Sequence, residues 1–211
     1  MHLGCLNRNQ IKVLKKLGFL QEYRFYLAGG TALAFQLGHR TSQDLDFYTS
    51  KTFGYKRLRQ ELEKKFEEAI FLEGSEGTLI MKLDKVAASF FHYPYPLIFP
   101  RVEFNDFPSI ASTKDIAAMK LIAIADRGIK RDFYDIYFLL EEFPLEEIFK
   151  WLKKKYPKFN IYSAVRGLTY FDDAEKKKYQ RRVYLFKYVS WPKVKKILIK
   201  KTNEYRKKWL K

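Results

Sequence analysis

Apolar positions at helical spacing, Ile11, Leu14 and Leu17, predict a short leading helix that ends at Gly18. The run Phe25-Tyr26-Leu27-Ala28 predicts a buried strand, and after Gly29-Gly30 a second helix is predicted through Ala32, Leu33, Ala34, Phe35 and Leu37, with Thr31 as its cap and Gly38 as its stop. A strand over Leu45 to Tyr48 follows, then an amphipathic helix with Tyr55, Leu58, Leu62, Phe66 and Ala69 on one side. Three short alternating runs, Ile70 to Glu73, Thr78 to Leu83 and Val86 to His92, are broken at residues 74–77 and 84–85 and predict an antiparallel meander. Prolines 94, 96, 100 and 108 punctuate the exit, with Arg101 to Phe104 as one further candidate strand. From Ser112 the period becomes helical. One helix is expected to Arg127 with Ser112 and Asp115 as a capping pair and Gly128 as its stop, a second over Arg131 to Glu142, and another near Pro192 to Leu210, with helices filling the remainder.

Length and composition narrow this picture. At 211 residues the chain accommodates one mixed domain of about 100 to 150 residues with a smaller lobe. The hydrophobic fraction of 47% argues for a folded core. No apolar run approaches the roughly 18 residues of a membrane span, so no membrane partner is expected. The N-terminus lacks the charged start and apolar stretch of a secretory signal, and Cys5 is the one cysteine. An intrachain disulfide is thereby excluded, and a cytoplasmic location is expected.

The formal charge of +17 is unevenly spread. Residues 151–211 carry 20 Lys or Arg against 4 Asp or Glu, whereas residues 1–150 carry 21 against 20. A surface of that sign attracts a polyanion in a salt-sensitive manner. A lysine-rich solubilising face is the plainer alternative.

The candidate chemistry sits where a glycine turn precedes a pair of acids. Along a strand side chains alternate, so Asp44 and Asp46 are expected to project together while Leu45 and Phe47 enter the core. Paired carboxylates can share a divalent ion with substrate phosphates; two solvated acids on a surface strand are the alternative. Gly29 and Gly30 permit close backbone approach at a helix start, where N–H groups and the Thr31 hydroxyl would meet phosphate, unless the pair is merely a tight turn. Arg40 could grip a phosphate through its two-pronged guanidinium or pair with a neighbouring acid. His39 lacks the companions of a zinc site. Downstream, Ile116, Lys120, Ala123 and Arg127 fall on one helical stripe, so Lys120 either reaches solvent or points at an anion. Asp132 and Asp135 share a face at the start of the following helix, where acids also suit the dipole.

The segments Gly29-Gly30-Thr31-Ala32-Leu33-Ala34, Leu37-Gly38-His39-Arg40 and Asp44-Leu45-Asp46-Phe47 together resemble the first motif of the AbiEii/AbiGii toxin family, nucleotidyltransferases related to the DNA polymerase β fold. Ala117-Ala118-Met119-Lys120-Leu121, Arg127-Gly128 and Arg131-Asp132-Phe133-Tyr134-Asp135-Ile136-Tyr137 resemble its downstream motifs, so that the similarity spans roughly residues 20 to 142. The resemblance implies an α/β (α+β) fold, a mixed sheet flanked by helices; with the element pattern and the charge count this gives a nucleotidyltransferase core over 1–110 and a helical lobe over 111–211 that is expected to complete the active site and is basic from about 150, where the resemblance no longer reaches. It implies transfer of an NMP from an NTP with release of pyrophosphate, dependent on Mg²⁺ or Mn²⁺. It assigns Asp44 and Asp46 to metal, Gly29, Gly30 and Thr31, with Arg40 beside them, to the nucleotide phosphates, and Lys120 and Asp132 to downstream catalytic positions. The acceptor it suggests is RNA, foremost tRNA, and the biological setting a toxin–antitoxin or phage-defence pair with a cognate antitoxin protein. One departure stands out: Ser89 occupies the strand position where the wider polymerase β group carries a third carboxylate. A catalytically weakened nucleotidyltransferase fold that binds nucleic acid or a protein partner is therefore the alternative reading.

Overall fold

In the computed structural model, which describes residues 1–176 and 184–209, the leading helix is α1, Arg8–Lys16. Asn7 caps it by accepting from the Gln10 N–H, while the Gln10 side chain accepts from the Asn7 N–H, so that two end groups are satisfied reciprocally. A 3₁₀ turn, Gly18–Gln21, leads into β1, Tyr26–Ala28. Helix α2, Gly29–Leu37, then starts at the glycines themselves and ends on Gly38, whose φ of 68° is the left-handed stop that glycine permits. Thr31 is thus inside the first turn and does not cap the helix, because Ala28 holds the cap position.

The sheet runs β1-β2-β5-β4-β3, with β2 at Leu45–Thr49, β3 at Ala69–Ser75, β4 at Thr78–Leu83 and β5 at Val86–His92. Its β5-β4-β3 half is the antiparallel meander that the turn residues predict; β2 joins it parallel to β5, and β1 closes the other edge antiparallel to β2. The two central strands alternate in burial. Leu45, Phe47, Ala88 and Phe90 are buried, with the Phe47 and Phe90 rings stacked 5.2 Å apart, while Asp46, Tyr48, Ser89 and Phe91 are only half-buried. Helix α3, Tyr55–Lys65, packs against β3 and β4 through Leu58 and Leu62. It stops before Ala69, which belongs to β3. The expected strand over Arg101 to Phe104 reduces to one bridge, Val102 with Ile110.

Contacts within the chain divide it into the unit Met1–Ser112, which holds this sheet, and the unit Thr113–Lys211. The second unit is helical: α4 Thr113–Asp126, α5 Lys130–Glu142, α6 Leu145–Lys155, α7 Ile161–Gly167, the single turn α8 Asp172–Glu175, and α9 Trp191–Trp209. The helix expected to reach Leu210 is thus described as far as Trp209, and Leu210 lies outside the described residues. Gly128, at φ 45°, makes the turn between α4 and α5.

The core of the second unit contains an ion pair. Lys155 Nζ lies 2.9 Å from Asp115 Oδ1, and both side chains are fully buried. Asp115 therefore spends its charge on a lysine 40 residues away, beyond the capping role its position suggests. Burial pushes the Lys155 ammonium below its ordinary pKa, and Asp115 opposes that shift. Asp115→Ala is expected to cost about 3–5 kcal/mol by removing the carboxylate that pairs with a buried charge. In that variant the folded protein binds the Lys155 proton less well than the unfolded chain does, so its stability should recover as pH rises. Urea denaturation at neutral and alkaline pH checks both the size and the sign.

Candidate active site

The glycine turn, the Arg40 segment and the Asp46 carboxylate converge in the first unit. Gly29 has φ 67°, a conformation in which any side chain is strained. A Cβ built on Gly29 would lie 2.9 Å from Asp46 Oδ2, so the Asp46 carboxylate faces the start of α2 at van der Waals range. A Cβ on Gly30 would lie 2.5 Å from Arg40 Nη2, which places a buried guanidinium against the same turn. The first N–H groups of a helix have no partner within it, so this turn offers donors and a positive dipole end beside a carboxylate and a cation.

Thr31 locks the two segments together. Its hydroxyl donates to the Asp44 carbonyl and shares a second hydrogen bond, 2.8 Å long, with the Ser42 hydroxyl. Buried Gln10 donates through Nε2 to the Ser42 carbonyl at 3.1 Å, tying the same loop to α1. Arg40 Nη1 donates to the Thr41 carbonyl at 2.9 Å, which orients its other nitrogen toward Gly30. The supporting roles of Ser42 and Gln10 have no signal of their own in the sequence, since a serine in a loop and a glutamine in the first turn of a helix both read as solvated.

Asp46 is in register with Ala28 on β1 and with Ser89 on β5, and Asp44 sits just ahead of β2, half-buried like Asp46. Ser89 is therefore beside Asp46 on the adjoining strand. Among the described residues no group of three or more His, Cys, Asp or Glu is placed to hold a metal. A pair of carboxylates without a third fits Mg²⁺ that takes its remaining oxygens from substrate phosphates and water. It does not fit an ion held permanently by protein alone.

Glycine 29 is a sensitive point. Gly29→Ala is expected to cost about 1–2 kcal/mol of stability for the left-handed backbone. Nucleotidyl transfer is expected to fall on the order of 10²-fold as Asp46 is displaced. Melting and single-turnover rates on one preparation separate these effects.

In the second unit Lys120 is buried, so it does not extend to solvent. Its Nζ lies 2.7 Å from Asp132 Oδ1 and 2.6 Å from Asp135 Oδ2, both fully buried on the first turn and a half of α5. Asp132 Oδ2 makes no hydrogen bond and has Arg127 Nε at 3.5 Å. Lys120 on α4 and Arg127 just past its end thus meet the acidic face of α5, and two like charges three residues apart are tolerated because one cation lies between them.

The mixed sheet with a glycine turn opening a helix against a strand carboxylate defines the nucleotidyltransferase fold. Two solved structures share it at low identity: MenT4, a nucleotidyltransferase toxin from Mycobacterium tuberculosis H37Rv, at TM-score 0.57 and 15% identity over 91% of this chain and 80% of that one, and a candidate nucleotidyltransferase from H. pylori, at TM-score 0.56 and 16% identity over 96% and 97%. Residues 18–186 match the family described as nucleotidyl transferase AbiEii toxin of type IV toxin–antitoxin systems, and the chain belongs to that family. It is a nucleotidyltransferase. An uncharacterized protein of Aquifex aeolicus (strain VF5) is 39% identical over 208 residues, 95% of this chain and 97% of its own length.

Proposed function

We propose that the chain transfers an NMP from an NTP to an RNA acceptor, foremost tRNA, in a reaction that requires Mg²⁺ or Mn²⁺, and that it acts as the toxin of a pair with a cognate antitoxin protein. The observation that carries this reading is the Asp46 carboxylate lying against the Gly29 turn at the start of α2. The N–H groups of Gly29, Gly30 and Thr31 take the triphosphate, and Arg40 adds a fixed positive charge beside it. Thr31 contributes through its backbone, because its hydroxyl is already bonded to the Asp44 carbonyl. Asp44 and Asp46 are the residues that would hold the divalent ion, which when bound neutralises phosphate charge as it develops. Lys120 and Asp132 carry the downstream part of the chemistry by family motif. Asp132 Oδ2, buried and unfilled by any hydrogen bond, has the valence to receive a proton.

The RNA acceptor and the role of the basic lobe rest on the charge excess of residues 151–211. No helix among the described residues is long and apolar enough to cross a membrane, and a cytoplasmic location belongs to the same reading. Incubating the protein with each labelled NTP, with and without total RNA, tests it. Label on RNA supports the assignment. Label confined to protein, or absent with every NTP and either metal, overturns it and favours the weakened binding fold that Ser89 suggests.

A further inference from the structure

The second half of α9 puts Lys201, Tyr205 and Lys208 on one stripe, four and three residues apart, with Trp209 one turn beyond Tyr205. Two cavities adjoin along that stripe and share Tyr205, Trp209 and Glu146. The larger, about 520 Å³, is flanked by Lys150 and Lys153 and walled by Tyr162. The smaller, about 300 Å³, is flanked by Lys201 and Lys208. Tyr205 is held in place by stacking on Phe149, with centroids 4.3 Å apart and planes 19° from parallel. Tyr162 and Trp209, by contrast, are 63% and 50% exposed.

Large rings left half in water on a concave surface add little to the fold, and here lysines line the same cavities, with Lys208 Nζ over the Trp209 ring at 5.0 Å. Such a combination suits a single-stranded nucleic acid, in which each nucleotide brings one flat base and one phosphate. A duplex hides its base faces and would leave the rings unused. Lys150 is hydrogen-bonded to Glu147 at 2.6 Å, whereas the lysines of the smaller cavity are held more loosely. Lys201 is 3.7 Å from Glu204 and Lys208 is 3.9 Å from Glu146, exposed pairs longer than hydrogen bonds that a phosphate displaces at little cost. Glu146, inside the trough, is placed to accept from a base amino group.

We propose that this trough on α9 is a subsite for two successive unpaired nucleotides of the acceptor RNA, with bases stacked on Tyr162 and Trp209 and phosphates on the flanking lysines. The proposal rests on RNA being the acceptor, and its test keeps the two apart. Fluorescence anisotropy of the full-length protein with a fluorescein-labelled single-stranded RNA, and with the matching duplex, measures binding at fixed salt. The single strand is expected to bind at least about tenfold tighter than the duplex, with Tyr162→Ala and Trp209→Ala each weakening it roughly tenfold and Tyr162→Phe retaining it. Lys153→Gln should flatten the salt dependence by about one unit of slope. Thermal melting confirms that these variants remain folded. Unchanged affinity in both ring variants, or preference for the duplex, overturns the trough while RNA labelling by the unmodified protein still upholds the acceptor. Absence of both RNA binding and RNA labelling overturns the two together.

Discussion

Asp46→Ala is expected to reduce NMP transfer on the order of 10³-fold or more while leaving the melting temperature nearly unchanged. The size follows from the position of the carboxylate: it is the acid whose oxygen faces the α2 turn, and a ligand worth several kcal/mol to the developing phosphate charge corresponds to three or more decades of rate. The stability half follows from exposure. Asp46 is only half-buried, on the face of β2 opposite Leu45 and Phe47, so its removal leaves no cavity in that core. Removing a carboxylate beside bound phosphates also relieves like-charge repulsion. NTP measured without divalent metal should therefore bind Asp46→Ala at least as well as the unmodified protein, and the enhancement of binding by Mg²⁺ should shrink. Transfer at an unaltered rate in the variant would remove Asp46 from the chemistry.

Much of this site can be read from sequence because its parts are local. Gly29-Gly30 and Asp44-Leu45-Asp46 lie in one strand–turn–helix–strand segment, where alternation puts Asp46 on the face away from Leu45 and Phe47; Asp44 precedes β2, so alternation does not set its direction. The bounds of β4 and β5 follow from the left-handed turns at Gly77 and at Asp84-Lys85. Thr31 was harder, because a threonine after two glycines reads as a cap, whereas the glycines themselves enter the helix and free its hydroxyl for Asp44. The insertion of β5 beside β2 is a long-range pairing, and no local pattern in Val86–His92 distinguishes a parallel neighbour from an antiparallel one. Lys155 presents the same difficulty in charge. It ends the run Lys153-Lys154-Lys155, and only its place on the apolar stripe of Leu145, Ile148, Phe149 and Leu152 makes it the buried one.

Lys120→Met is expected to be the most destabilising single change, at the upper end of the roughly 3–5 kcal/mol that loss of one member of a buried pair costs, since it removes a cation shared by two buried carboxylates and leaves Asp132 with the longer, 3.5 Å contact to Arg127. Against a total stability of about 5–15 kcal/mol, that can leave the second unit unfolded at physiological temperature. Loss of activity in this variant alone would therefore say nothing about chemistry. Neutralising the two acids separates the two roles: the triple variant Lys120→Met, Asp132→Asn, Asp135→Asn removes their charge as well, and its melting temperature should recover most of the loss. If Lys120 and Asp132 take part in transfer, the triple variant melts near the unmodified protein and still fails to label RNA. Recovery of both melting and transfer would make the cluster a purely structural clasp between α4 and α5. Asp135→Asn by itself sharpens the contrast, because it keeps Lys120 paired with Asp132 and should retain most of the transfer rate at a modest cost in melting temperature.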